Sequence, residues 1–92
     1  MKIQHKDNGK NGLFFIEQDG ETVAEMTYVW KGKDRIIIDH TQVDEKLKGQ
    51  GAGKKLVIKA IEFAREKGLK ITPVCTFAKS VFDKEIAFSD VL

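Results

Sequence analysis

Cysteine is nearly absent from this chain of 92 residues: Cys75 stands alone. A lone cysteine excludes an intramolecular disulfide framework and fits a reducing compartment. One-sided charge is missing too, since 16 Lys and Arg face 14 Asp and Glu for a net charge of +2. Nucleic-acid binders usually carry a one-sided basic footprint, so this balance argues against nucleic acid as a partner. No apolar run at the N-terminus resembles a secretory signal, and no stretch approaches the roughly 20 apolar residues of a membrane span. The expectation is a cytoplasmic, monomeric chain that forms one domain over residues 1–92, with no membrane partner. Two histidines and one cysteine also give no metal constellation.

What is present reads as α+β. "GLFFIEQ" (Gly12 to Gln18) is rich in aromatic and β-branched residues and ends at Asp19-Gly20, a strong hairpin signal. "ETVAEMTYVWK" alternates, with Ala24, Met26, Tyr28 and Trp30 on one face. A turn at Lys31 to Asp34 leads to "RIIIDHTQV", Arg35 to Val43, which is apolar enough for a central strand. His5 reads as a surface residue of a weak first strand. From Gly53 onward Leu56, Val57, Ala60, Ile61 and Ala64 recur at helical spacing, and Gly68 is a natural stop. "LKITPV" then reads as a buried strand, and Phe77, Val81 and Phe82 as one face of a short helix. The stretch "AFSDVL" stays ambiguous. Strand, helix and strand in this order imply a right-handed crossover, which makes Arg35–Val43 and Leu69–Val74 parallel. The expected architecture is an antiparallel meander of about four strands, a long helix, a further strand and a short helix.

The concentration of glycine at the mouth of the long helix, "LKGQGAGKKL", is the feature that carries chemistry. A glycine-rich turn before a helix N-terminus converges unpaired N–H groups on one point, where the helix dipole favours an anion. Spacing excludes a Walker A loop, because Lys48 stands where the early Gly is needed and Lys55 follows Lys54. It also excludes G-x-G-x-x-G, whose third glycine would fall on Lys54 or Leu56. What fits is (Gln/Arg)-x-x-Gly-x-(Gly/Ala), spelled here Lys48-Gly49-Gln50-Gly51-Ala52-Gly53 with Lys in the first slot.

On these residues the chain resembles the GNAT superfamily of CoA-dependent N-acetyltransferases. "DHTQV", the glycine loop, "KKLV", "AREKGLKITPVC" and "FAKSVF" together resemble its minimal YjdJ-like branch. The resemblance implies acetyl-CoA as cosubstrate and a small or peptidic amine as acceptor. It implies a loop whose amides, from Lys48, Gly49, Gln50, Gly51, Ala52, Gly53 and Lys54, hold the pyrophosphate. It also implies that pantetheine lies between a splayed parallel pair, along Thr41 and Val43 and toward Phe77, with a main-chain amide of His40 to Val43 polarising the carbonyl. Lys48 and Lys54 are the cations closest to the phosphates.

Two titratable side chains are candidates for catalysis. Cys75 falls where the second parallel strand ends and a helix begins, an environment that activates a thiol; the branch resembled has a cysteine at the matching place. It would accept the acetyl group or line its pocket, the alternative being a buried small hydrophobe. His40 would serve as a base near neutral pH, or simply as a hydrogen-bonded strand residue. Asp39 and Thr41 are expected on the opposite side of the strand from His40. Many members of the superfamily protonate the leaving thiolate with a Tyr on the last helix; this chain has only Tyr28, in the meander. Cys75, Ser80 or water would take that role. The resemblance therefore leaves a second function open, a CoA-binding module of degenerate acetyltransferase fold with little turnover. A nucleic-acid-binding use of the Lys-Gly loop is weaker, because no aromatics interleave with the lysines.

Overall fold

The computed structural model describes residues Met1–Leu92. Strands β1 (Gln4–Asp7), β2 (Asn11–Gln18), β3 (Glu21–Lys31) and β4 (Arg35–Val43) form an antiparallel meander. Helix α1 (Ala52–Lys67) crosses back to β5 (Lys70–Pro73), which pairs parallel to β4 at the edge of a five-stranded sheet ordered β1-β2-β3-β4-β5. Helix α2 (Thr76–Lys84) and a 3-10 turn over Ile86–Val91 complete the chain. The ambiguous C-terminal stretch is thus a 3-10 turn. Arg65 of α1 anchors it by a fork onto Asp90, at 3.0 and 2.8 Å, while Val91 is buried.

Local chemistry accounts for the turns. Asp19 and Gly20 both hold positive φ, 52° and 80°, as a hairpin turn matched to strand twist requires. Gly68 ends α1 at φ 70°, and the Leu69 amide bonds back to Ala64 at 2.8 Å.

All helical elements pack on one face of the sheet. Phe14, Ile16, Met26, Tyr28, Ile36, Ile38 and Ile71 from the strands meet Leu56, Val57, Ala60, Ile61 and Ala64 of α1 there. Ala78, Val81 and Phe82 of α2 join the same cluster. The opposite face carries no helix. Phe15 lies on it, buried although outside the main cluster, with the Lys6 ammonium 5.2 Å from its ring centroid.

Two irregularities shape the carboxyl half of β4. First, the β4–β5 ladder stops at Ile38↔Pro73, while β4 runs on to Val43. The amides of Val74 and Cys75 both turn onto the Ile38 carbonyl, at 2.9 and 3.1 Å, and the chain leaves the sheet. From His40 to Val43, β4 therefore has no neighbour on that side, and the parallel pair splays. Second, β4 bulges: Thr27 pairs with His40 but Tyr28 pairs with Ile38, leaving Asp39 as the extra residue.

Candidate active site

The glycine loop is built from anchors at both ends. Asp44 caps a 3-10 turn over Glu45–Leu47, accepting the Lys46 amide at 3.0 Å, and Leu47 is buried in the core. Gln50 bonds back to the Leu47 carbonyl at 3.1 Å, and Gly49 and Gly51 take φ of 83° and 70°. A side-chain-bearing residue is strained there, so these glycines are required by the backbone. Gly53 is required for another reason: a Cβ on it would lie 2.7 Å from Cζ of Phe77. Its bare α-carbon is the seat of the Phe77 ring, and that contact joins α1 to α2.

The amides of Gly49, Gly51, Ala52, Gly53 and Lys54 donate to nothing within the chain. They gather before the N-terminus of a helix with no side-chain cap. A diphosphate, which offers only acceptors, fits this donor set. Lys48 pairs with Glu45 at 3.9 Å and Lys54 with Glu85 at 3.8 Å, all with well-exposed side chains. Exposed pairs of this kind contribute at most about 1 kcal/mol, so a phosphate displaces either carboxylate cheaply. Between Lys54 and α2 lies a cavity of about 310 Å³ lined also by Phe77, Ser80, Val81 and Lys84. The Ser80 hydroxyl donates to the Phe77 carbonyl at 2.6 Å.

At the splay, Thr41 and Cys75 face each other. Thr41 shares the helix-covered face of the sheet with its partner Met26, and its Oγ1 lies 3.2 Å from Cys75 Sγ. That sulfur also accepts the Ala78 amide at 3.3 Å, making Cys75 the N-cap of α2. Val43 at the end of β4, Val74 after β5 and Phe77 on α2 are exposed apolar side chains, Val74 at 61%.

His40 is exposed and makes no hydrogen bond to any side chain; paired with Thr27, it lies on the helix-free face, across the sheet from Thr41 and Cys75. Asp39 lies on that face as well, its Oδ1 accepting the Thr27 hydroxyl at 2.6 Å. The expected alternation, with Asp39 opposite His40, is overturned by the bulge, which inserts one residue and turns two consecutive side chains to one side. The polar pair Asp39-His40 directly after three isoleucines is the signal that could have revealed it.

His5 is exposed on β1, as expected of a surface strand residue, yet its ring is tied to its neighbours. Its ring stacks on Phe14 at 4.1 Å and meets Phe63 edge-on at 4.8 Å. Its Nε2 lies 2.6 Å from the Tyr28 hydroxyl, which donates to Asp7 at 2.5 Å; Trp30 Nε1 donates to the same carboxylate at 2.8 Å. Partial desolvation holds the His5 imidazole below its ordinary pKa, although nearby Asp7 opposes this. Burial also works against charge on Asp7, but hydrogen bonds from Tyr28, the Gly9 amide and Trp30 together outweigh it and hold that carboxyl low. Burial, the hydrogen bond to Asp7 and its charge push the Tyr28 phenol far up. The only Tyr is thus committed to the structure of the β1 edge.

A cradle of free amides at a helix N-terminus thus stands beside a parallel pair splayed at its carboxyl end. A family model described as GCN5-related N-acetyl-transferase matches residues 13–91. Among solved structures, a GCN5-like candidate N-acetyltransferase from Staphylococcus aureus is 41% identical, with a TM-score of 0.77 over 98% of this chain and 85% of its own. The ribosomal-protein-S18-alanine N-acetyltransferase from Escherichia coli is 17% identical, with a TM-score of 0.68 over 85% of this chain and 53% of its own. An aminoglycoside N-acetyltransferase in complex with CoA is 12% identical, with a TM-score of 0.67 over 90% of this chain and 88% of its own. These last two share the fold; the family rests on the first two matches. A search of the curated proteins returned no match. The chain belongs to the GCN5-related N-acetyltransferase family, and its enzyme class is transfer of an acyl group to nitrogen.

Proposed function

We propose that the protein transfers the acetyl group of acetyl-CoA to an amine, as a minimal, cytoplasmic and monomeric member of the family of the YjdJ-like kind. The observation that carries the reading is the continuity of two features. The free amides of Gly49 and Gly51 to Lys54 lead into the β4–β5 splay, whose inner end is Thr41 and Cys75. The amides hold the pyrophosphate, with Lys48 and Lys54 adding charge and Gln50 shaping the turn. Thr41, Val43 and Phe77 line the path of the pantetheine arm. Acetyl-CoA brings the activated thioester.

Cys75 Sγ borders the position of the acetyl carbon. In the two-step version of the reaction, the sulfur attacks the thioester carbonyl, the bond to CoA breaks, and the thiol proton leaves with CoA. The acceptor amine then attacks the acetyl-cysteine, loses a proton and restores the thiol. Thr41 Oγ1, 3.2 Å from the sulfur, relays the proton in the first step. His40 lies on the helix-free face, so it takes the proton in the second step only from an amine that enters the splay from that side. The test is release of free CoA thiol with a panel of amines, together with intact mass after incubation with acetyl-CoA alone. Turnover with no acetyl adduct would reduce Cys75 to a wall of the pocket. An adduct without turnover would identify a CoA-binding module that acylates itself.

A further inference from the structure

The helix-free face of the sheet carries a groove of about 560 Å³ whose floor is Leu13 and Val29 and whose end at β4 is Thr27 and Asp39. That end lies at the level where the β4–β5 ladder ends, since Asp39 follows Ile38, the last residue of β4 paired with β5. An acceptor lying in this groove has one end level with the splay, the gap beside β4 through which it reaches an acetyl group at Cys75 on the other face. Asp39 is unusually placed for a strand carboxylate. The bulge turns it onto the same face as its neighbour His40, no ion pair includes it, and its one hydrogen bond comes from the Thr27 hydroxyl. A carboxylate has about four acceptor positions, so most of its capacity is open toward the groove. The one cation along the groove, Lys6, is drawn over the Phe15 ring at 5.2 Å.

From this geometry we propose that Asp39 selects the acceptor: an alkylammonium group docks on its carboxylate while the attached hydrocarbon lies over Leu13 and Val29. The inference rests on the acetyl-transfer reading and adds the substrate class, amines that are cationic near neutral pH. The same chemistry is offered by a free aliphatic amine and by a lysine side chain of a peptide.

The test compares wild type with Asp39→Asn and Asp39→Glu, using pentylamine, Nα-acetyl-lysine amide and aniline as acceptors and CoA thiol release as the readout. Asn keeps an acceptor for the Thr27 hydroxyl while removing the charge. The expected result is a KM for both alkylamines raised about tenfold in Asp39→Asn, the size of one charge-assisted contact, with kcat changed far less. The preference for alkylamine over neutral aniline falls by the same factor, and Asp39→Glu restores it. A lower KM for the lysine derivative assigns a peptide lysine; a lower KM for pentylamine assigns a free amine. An unchanged preference ratio in Asp39→Asn overturns the proposal and leaves acetyl transfer standing. Should wild type transfer to no amine, acetyl transfer fails, and amide NMR of the CoA-loaded protein decides the groove. Shifts at Leu13, Thr27 and Val29 on adding pentylamine, lost in Asp39→Asn, support it; their absence in wild type overturns it.

Discussion

Phe77 sits directly on the α-carbon of Gly53, so closely that a Cβ there would lie 2.7 Å from its ring. One contact thereby couples the start of α1, which holds the free amides, to α2, which carries Cys75 at its cap.

Gly53→Ala is expected to displace the Phe77 ring, destabilise the fold by about 1–3 kcal/mol and weaken acetyl-CoA binding. Gly51→Ala is expected to cost about 1–2 kcal/mol through left-handed strain alone, because nothing lies within 4 Å of a Cβ there. Denaturant titration and calorimetric binding of acetyl-CoA measure both. The discriminating variant is Gly53→Ala with Phe77→Leu, which should recover part of the stability. If Gly53→Ala alone is as stable as wild type, the contact is looser than the geometry says.

Cys75 has two roles that substitution can separate. As N-cap its sulfur accepts the Ala78 amide at 3.3 Å, a duty serine performs at least as well. Cys75→Ser should therefore keep the melting temperature, whereas Cys75→Ala should lose about 1 kcal/mol. Both should bind acetyl-CoA, and both should lose any hydroxylamine-labile acetyl adduct seen by intact mass. Thr41→Val preserves volume but removes the hydroxyl 3.2 Å from the sulfur, so it should slow adduct formation without abolishing it. An adduct of full yield in Cys75→Ala places the acetyl group elsewhere.

Much of this architecture was legible because its determinants are local. Strand and helix periodicities, the Asp19-Gly20 turn and the Gly68 stop each follow from a few neighbouring residues. The glycine loop was legible as an anion site for the same reason, although Gly53 is demanded by Phe77, a residue far along the chain. What stayed hidden was cross-strand. The bulge at Asp39 depends on register with Thr27 and Tyr28, and the ring contacts of His5 depend on Phe63 reaching it from α1. No spacing rule within one segment contains such information.

The network of His5, Asp7 and Tyr28 predicts how stability depends on pH. His5 and Asp7 have lowered pKa values in the fold, so their contributions are complete above their unfolded values and are lost as pH falls. Tyr28 has a raised one, so its contribution is complete below its unfolded value of 10.0 and is lost as pH rises beyond it. The melting temperature should therefore hold a plateau from neutral pH to about pH 9, fall first below the ordinary histidine range near 6.5, and fall again above 10. His5→Gln should flatten the first acid step, and Tyr28→Phe should remove the alkaline one. A melting temperature of wild type that is flat from about pH 7 to pH 5 would contradict the assignment to His5.

Gly12 is the second residue of β2, and its cost of replacement comes from Tyr28 rather than from strand propensity. A Cβ there would lie 2.5 Å from both Cζ and the hydroxyl of Tyr28, and 2.6 Å from the Lys6 carbonyl. The ring cannot retreat without breaking its bond to Asp7, and the carbonyl belongs to the paired β1 backbone. Gly12→Ala is thus expected to destabilise by more than about 3 kcal/mol, or to detach β1 from the sheet. Gly9, at φ 88° in the adjoining turn with nothing within 4 Å of a Cβ, should lose only about 1–2 kcal/mol on the same change. Hydrogen exchange locates the damage: early exchange of the β1–β2 amides in Gly12→Ala, with α1 and β4 protected, is the expected pattern. Equal stability losses for the two alanines would mean that Tyr28 yields, and that the His5–Tyr28–Asp7 bonds do not hold the β1 edge.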